Sequence, residues 1–117
     1  MNQLKEIITK DGSISLRSLY FKENFHSHLG AMNETKCKFI DPAGIHRFKD
    51  KSVNVLDICF GLGYNSALLF KNIIRQSSSL RWYGLEIDKR PLRYALGSEL
   101  FRNLWDNKVI DILNSLL

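Results

Sequence analysis

Cysteine is scarce in this chain of 117 residues: Cys37 and Cys59 stand twenty-two positions apart, with no Cys-x-x-Cys. That spacing gives neither a disulfide framework nor a zinc site, and no metal is expected. No apolar run approaches the ~20 residues a membrane span needs, so no membrane partner is expected. The opening residues, Met-Asn-Gln-Leu-Lys-Glu-Ile-Ile-Thr-Lys, lack the apolar core of a signal peptide, and a cytoplasmic location is the default. Proline occurs twice, and there are no internal repeats or low-complexity linkers. Acidic residues are in the minority, 12 against 17 basic, for a formal charge of +5. The excess suits a polyanionic partner, although its Lys and Arg are dispersed, as on an ordinary solvated surface.

What is present centres on Val53 to Asn65, Val-Asn-Val-Leu-Asp-Ile-Cys-Phe-Gly-Leu-Gly-Tyr-Asn. Val53, Val55, Leu56 and Ile58 form a short β-branched and apolar run that reads as a buried strand. It ends in Gly61 and Gly63, and a helical pattern follows from Asn65 to Gln76. Strand, glycine turn and helix together make a site for a nucleotide-like ligand: glycines admit the ligand to the backbone, and the helix start offers unpaired N–H groups. A second strand, Trp82 to Ile87, carries Glu86, twenty-three positions beyond Gly63. An acidic residue at about that distance holds a ribose diol in such folds.

Two ligand classes use this layout. A dinucleotide fingerprint wants a third small position, which Ser66 tolerates, but Asp57 and Cys59 interrupt the approach to the glycines. The pattern Val-Leu-Asp-x-x-x-Gly-x-Gly instead resembles motif I of methyltransferases that use S-adenosylmethionine (SAM), with Cys59 where those usually carry glycine. The bland alternative is a buried strand and tight turn with no ligand. Two carboxylates at strand ends flanking the glycines weigh against it.

Elsewhere, Asp11-Gly12 between Ile7-Ile8-Thr9 and Ile14-Ser15-Leu16 predicts a β-hairpin over Leu4 to Ser18. Tyr20 to Gly30 reads as a loop or short helix, Ala31 to Ile40 as a turn or two of helix, and Asp41-Pro42-Ala43-Gly44 as a loop. After the second strand, Asp88 is placed to cap a helix carrying Pro91 in its first turn. Leu92, Leu96, Leu100, Phe101, Leu104 and Trp105 make its apolar face, with Gly97 inside it. Val109, Ile112, Leu113, Leu116 and Leu117 predict a last helix. Two parallel strands fall short of the ~4–6 that a covered sheet carries, so this reads as the first part of a larger domain.

Asp11-Gly12-Ser13, Ser18, Glu23-Asn24-Phe25-His26-Ser27-His28-Leu29-Gly30-Ala31 and Glu34 resemble the signature of the MnmC-like methyltransferases. These act on 5-aminomethyl(-2-thio)uridine at the tRNA wobble position. Leu56 to Asn65 resembles that family's glycine motif too, Cys59 included. The resemblance implies an α/β chain: residues 1–52 a hairpin and His-Ser-x-x-Gly-Ala segment, residues 53–117 the first half of a Rossmann-like class I methyltransferase domain. It implies SAM as cofactor and tRNA as partner. Asp57, Gly61 and Gly63 are expected at the methionyl end of SAM and Glu86 at its ribose, with Phe60, Leu62 and Asn65 flanking. His26, Ser27 and Gly30 are expected near the pocket.

The chain departs from the family after Glu86, where nothing matches the Asp-Ala-Phe-Ser-Pro-like motif of the methyl-transfer site. No catalytic residue is therefore assigned, and the chain alone is not expected to be a competent enzyme. A second chain or a C-terminal half is expected to complete the sheet. The alternatives are a truncated, non-catalytic SAM- or nucleotide-binding module or gene remnant, and behind these an NAD-binding oxidoreductase fragment. His26 and His28 make a poor metal pair, Cys59 reads as a small buried residue, and Trp82 and Tyr83 as core and rim.

Overall fold

The computed structural model describes residues 3–117. Met1 and Asn2, where the expected first segment begins, lie outside the described residues. The chain is a mixed α/β structure with a hairpin sheet followed by a partial Rossmann-like unit.

Strands β1 (Leu4–Ile8) and β2 (Ile14–Ser18) pair antiparallel with Ile8 opposite Ile14, so the Asp11-Gly12 turn forms as the sequence predicts. Gly12 takes φ +84° there, open to glycine at no steric cost. A two-residue strand β3 (Glu23–Asn24) pairs with the other edge of β2, inside the segment read as a loop or short helix. With neighbours on both edges, β2 is the centre of its sheet.

Helix replaces more of the next segment than the sequence suggested. Helix α1 (Ala31–Glu34) runs into a π-helical stretch, Thr35–Ile40, and then into α2 (Asp41–Ala43). The expected loop at Asp41 to Gly44 is therefore corrected: helix continues to Ala43, and only Gly44, left-handed at φ 61°, ends it. Pro42 supplies a reason for the wide turns before it. Its ring would clash with the carbonyl four residues back in a regular α-helix and it has no N–H to give. A single 3-10 turn, Ile45–Phe48, leads to the next strand.

Strand β4 (Ser52–Ile58), helix α3 (Tyr64–Arg75) and strand β5 (Ser79–Leu85) form the βαβ unit, with β4 and β5 parallel and Leu56 beside Tyr83. The expectation of a buried β4 is half corrected. Val53, Val55 and Asp57 are sheltered, and Val53 and Val55 pack toward Leu69 and Ile73 of α3, while Asn54, Leu56 and Ile58 are exposed. Period-2 alternation places them on opposite faces.

The predicted long helix after Pro91 is two, α4 (Arg90–Gly97) and α5 (Glu99–Arg102), because Ser98 between them is extended. Gly97 thus ends a helix rather than lying inside one. Helix α6 (Asn107–Ser115) is capped by Asp106, whose side chain accepts from Val109 N at 3.1 Å. The main core joins Ile14 and Leu16 of β2, Leu62 and Tyr64 at the start of α3, Leu92, Phe101, Trp105 and Val109. Tyr64 is its pivot, edge-on to His26, Phe101 and Trp105.

Candidate functional site

The turn from β4 into α3 is built from left-handed backbone. Cys59 and Gly61 both take φ 61° and Gly63 takes φ 95°. Cys59 is exposed, against the sequence reading of a small buried residue, and a β-carbon in this region costs about 1–2 kcal/mol. The same φ explains why glycine is common at this place in similar motifs. At Gly63 a Cβ would stand 2.8 Å from the Phe60 ring, so that glycine is fixed by packing as well as by φ. At Gly61 the nearest neighbours would be the Phe25 ring at 3.6 Å and a backbone oxygen at 3.8 Å.

Glu86 bridges the two strand ends. Its Oε2 accepts from Gly61 N at 2.8 Å, while Oε1 accepts from Ile87 N at 2.8 Å and Asp88 N at 3.1 Å. Asp57, on the sheltered face of β4, accepts from Ser66 Oγ, and Ser66 in turn accepts from Trp82 Nε1 at 2.8 Å. Burial pushes the Asp57 carboxyl above its usual range, the Ser66 bond pulls it down, and nearby Glu86 pushes it up again. Both sequence-predicted carboxylates thus sit at adjacent strand ends beside the glycine turn. Beside Glu86 a small cavity of about 150 Å³ is lined by Phe60, Trp82, Gly84 and Leu92 among others.

The flanking residues take different places. Phe60 and Leu62 are buried in the core, whereas the Asn65 side-chain Oδ1 accepts from Thr35 Oγ1 at 2.9 Å, joining the α3 start to the π-helical stretch. Trp82 packs edge-on against Phe60 and Phe70, and Tyr83 lies exposed on the other face. Asp88 accepts from Arg90 N at 2.9 Å and pairs with the Arg90 guanidinium, which holds its carboxyl below the usual range.

The His-Ser-x-x-Gly-Ala segment is knitted to the hairpin. His26 Nδ1 and Ser15 Oγ share a 2.7 Å hydrogen bond, and Tyr64 OH donates to Ile14 O at 2.7 Å. Burial holds the His26 pKa below its usual value, and Glu34 and Asp11 oppose that shift. Ser27 N donates to Glu34 Oε2 at 2.5 Å. Gly30 lies against Asp11, where a Cβ would overlap the carboxylate.

One role was missed in the sequence. The Asp11-Gly12-Ser13 turn caps α1 across space: Ala31 N donates to Thr9 Oγ1, Met32 N to Ser13 Oγ and Asn33 N to Asp11 Oδ2. These satisfy N–H groups that a helix start leaves without partners. The short-range sign was Asp11 itself, which also accepts from Ser13 N, but its distant partner carries no local signal. Among the described residues no cluster of three or more His, Cys, Asp or Glu could hold a metal, and no helix is long and apolar enough to cross a membrane.

No protein-family model matches the chain. It is 36% identical over 70 residues to the uncharacterized protein MJ0670 of Methanocaldococcus jannaschii, covering 56% of this chain and 19% of that protein. Its structure is similar to the crystal structure of MnmC2 from Aquifex aeolicus, with a TM-score of 0.64 and 32% identity over 72% of this chain and 29% of that one. The chain spans less than a third of either relative's length. In fold and sequence together, its likeness is to an MnmC-type protein.

Proposed function

We propose that this chain is the SAM-binding part of an MnmC-type methyltransferase whose substrate is the 5-aminomethyl group of a wobble uridine in tRNA. The observation that carries the reading is Glu86 reaching across to the glycine turn through the Gly61 N–H at 2.8 Å. Gly61, Gly63 and the N-terminus of α3 would receive the methionyl end, with Asp57 beside them, and Glu86 the ribose. These residues fit the group in kind, since a left-handed glycine turn leads into a helix start beside a carboxylate at the neighbouring strand end, although Gly61 itself is buried against the Phe25 ring. Bound SAM supplies a methyl group on a sulfonium. A carboxylate has about four lone-pair sites, and three of those on Glu86 already accept backbone N–H groups. A diol that donates two hydrogen bonds therefore takes over the Gly61 contact and frees that N–H for the ligand.

Calorimetric titration of the chain with SAM tests this. Glu86→Ala is expected to weaken binding roughly 10- to 100-fold, as losing hydrogen bonds to a charged group does. Unchanged affinity in a variant with wild-type circular dichroism refutes the Glu86 assignment. Displacement of SAM by NAD at similar concentrations would move the chain to the oxidoreductase class.

A second reading is supported by the open face of the parallel sheet. Leu56, Ile58, Tyr83 and Leu85 form an exposed apolar square at the strand ends nearest the glycine turn. Parallel sheets are covered on both faces in finished domains. On this reading the chain binds SAM without turning over, and further polypeptide, in the same chain or another, brings the base and positioning groups that methyl transfer to an amine needs.

A further inference from the structure

A polar cleft lies between the hairpin and α1, apart from Asp57, Gly61, Gly63 and Glu86. It is a shallow groove, open to solvent, of about 380 Å³, lined by Arg17, Asn24, Phe25, His26, Glu34 and Lys38, together with Glu23 and the Ser27–His28 segment. Phe25 joins it to the glycine turn, since its ring lies against Gly61. At the other side stands Glu34, the last residue of α1. One carboxylate oxygen is pinned by Ser27 N at 2.5 Å, and the other has no hydrogen-bond partner among the described residues. Among the described residues no cation pairs with it, although Lys38 and Arg17 line the same cleft. His26 is similarly half used: Nδ1 is engaged with Ser15, and Nε2 has no partner among the described residues.

A half-buried carboxylate with one oxygen fixed and one unengaged is suited to an ammonium, which carries three donors and no acceptor. A partly exposed aromatic ring offers a stacking face for a base, and cations at the rim suit phosphate. Resting on the methyltransferase reading above, we propose that this cleft takes the acceptor, an amine-bearing nucleotide held with its ammonium on Glu34, its base against Phe25, and its phosphate flank toward Arg17 and Lys38. Phe25, whose ring lies against the buried Gly61, is then the wall that the acceptor cleft shares with the glycine turn.

A purely structural Glu34 would serve only to accept the Ser27 N–H. Glu34→Gln separates the two roles, because its amide carbonyl keeps that bond while the charge is lost. The probes are an RNA stem-loop with 5-aminomethyluridine in its loop and the same stem-loop with uridine, titrated by fluorescence anisotropy, with SAM calorimetry on the same preparations. The wild-type chain is expected to prefer the aminomethyl stem-loop by roughly 10-fold, as for a hydrogen bond to a charged group. Glu34→Gln is expected to erase the preference while leaving SAM and the uridine stem-loop within about twofold of wild type. A preference that survives in Glu34→Gln overturns the proposal. A wild-type chain that binds SAM but shows no preference overturns it while leaving the cofactor reading intact. A chain that shows the preference without binding SAM keeps the acceptor cleft and overturns the cofactor reading.

Discussion

In β2 the apolar residues Ile14 and Leu16 are 0% and 2% exposed, whereas in β4 Leu56 and Ile58 are 57% and 63% exposed. The first strand belongs to the hairpin, the second to the glycine motif on which the nucleotide-site reading depends. Their surroundings differ in number of partners. Strand β2 pairs on both edges, with β1 and β3, and joins the main core with Leu62, Tyr64 and Phe101. Among the described residues strand β4 pairs with β5 alone, and its unit covers one face of that sheet only. The packed centre of this chain is therefore the hairpin's docking surface. The strand leading into the glycine motif is held from behind and left open in front, while Gly61 and Gly63 themselves are buried. Tyr64 couples the two, since its ring lies in the core while its hydroxyl, pushed up by burial, bonds to Ile14 O.

The largest test of that difference compares truncations. Ile14→Ala is expected to cost about 3 kcal/mol, the usual range for emptying a buried aliphatic site. Leu56→Ala is expected to cost under ~1 kcal/mol, because little of its surface leaves water on folding. Urea melts of both variants check this, and equal losses would break the comparison. Gly30→Ala comes next, at roughly 2 kcal/mol, since the methyl group must push the Asp11 carboxylate off the start of α1. A wild-type melt for that variant would show that the hairpin is not clamped to α1 through Asp11.

Much of the fold is legible locally. The Asp11-Gly12 hairpin, the βαβ unit and α6 follow from turn chemistry and periodicity, which act over a few residues. Coverage is not a local property. Val55 and Leu56 are adjacent apolar residues, yet only tertiary packing decides that one faces α3 and the other open space. The extension of α2 through Pro42 was hidden for a related reason, because π-helical turns relieve a clash that sequence rules treat as a stop. Of the candidate site, spacing predicted that Asp57, Gly61, Gly63 and Glu86 come close together, and the fold brings them there. Spacing could not give the Ser66–Trp82 link to Asp57, or the approach of Phe25 to Gly61, since those partners meet only when the elements pack.

The smallest effect expected is also the one that separates the proposed ligand role of β4 from its structural role. Asp57 lies on the covered face, where burial raises its pKa above 3.8. Between the unfolded and folded values the native chain binds more of the proton, so this group's contribution falls as pH rises and its cost is fully felt above the folded pKa. Asp57→Asn keeps an acceptor for the Ser66 hydroxyl and removes the buried charge and its repulsion with Glu86. The variant is therefore expected to melt slightly higher than wild type at pH 7, with the gap closing as pH falls through the folded pKa. SAM affinity should drop in the same variant. A gap that widens toward acid would mean that Asp57 is stabilised as a carboxylate in the fold, and that the charged form is an anchor of β4 rather than a group held ready for a ligand.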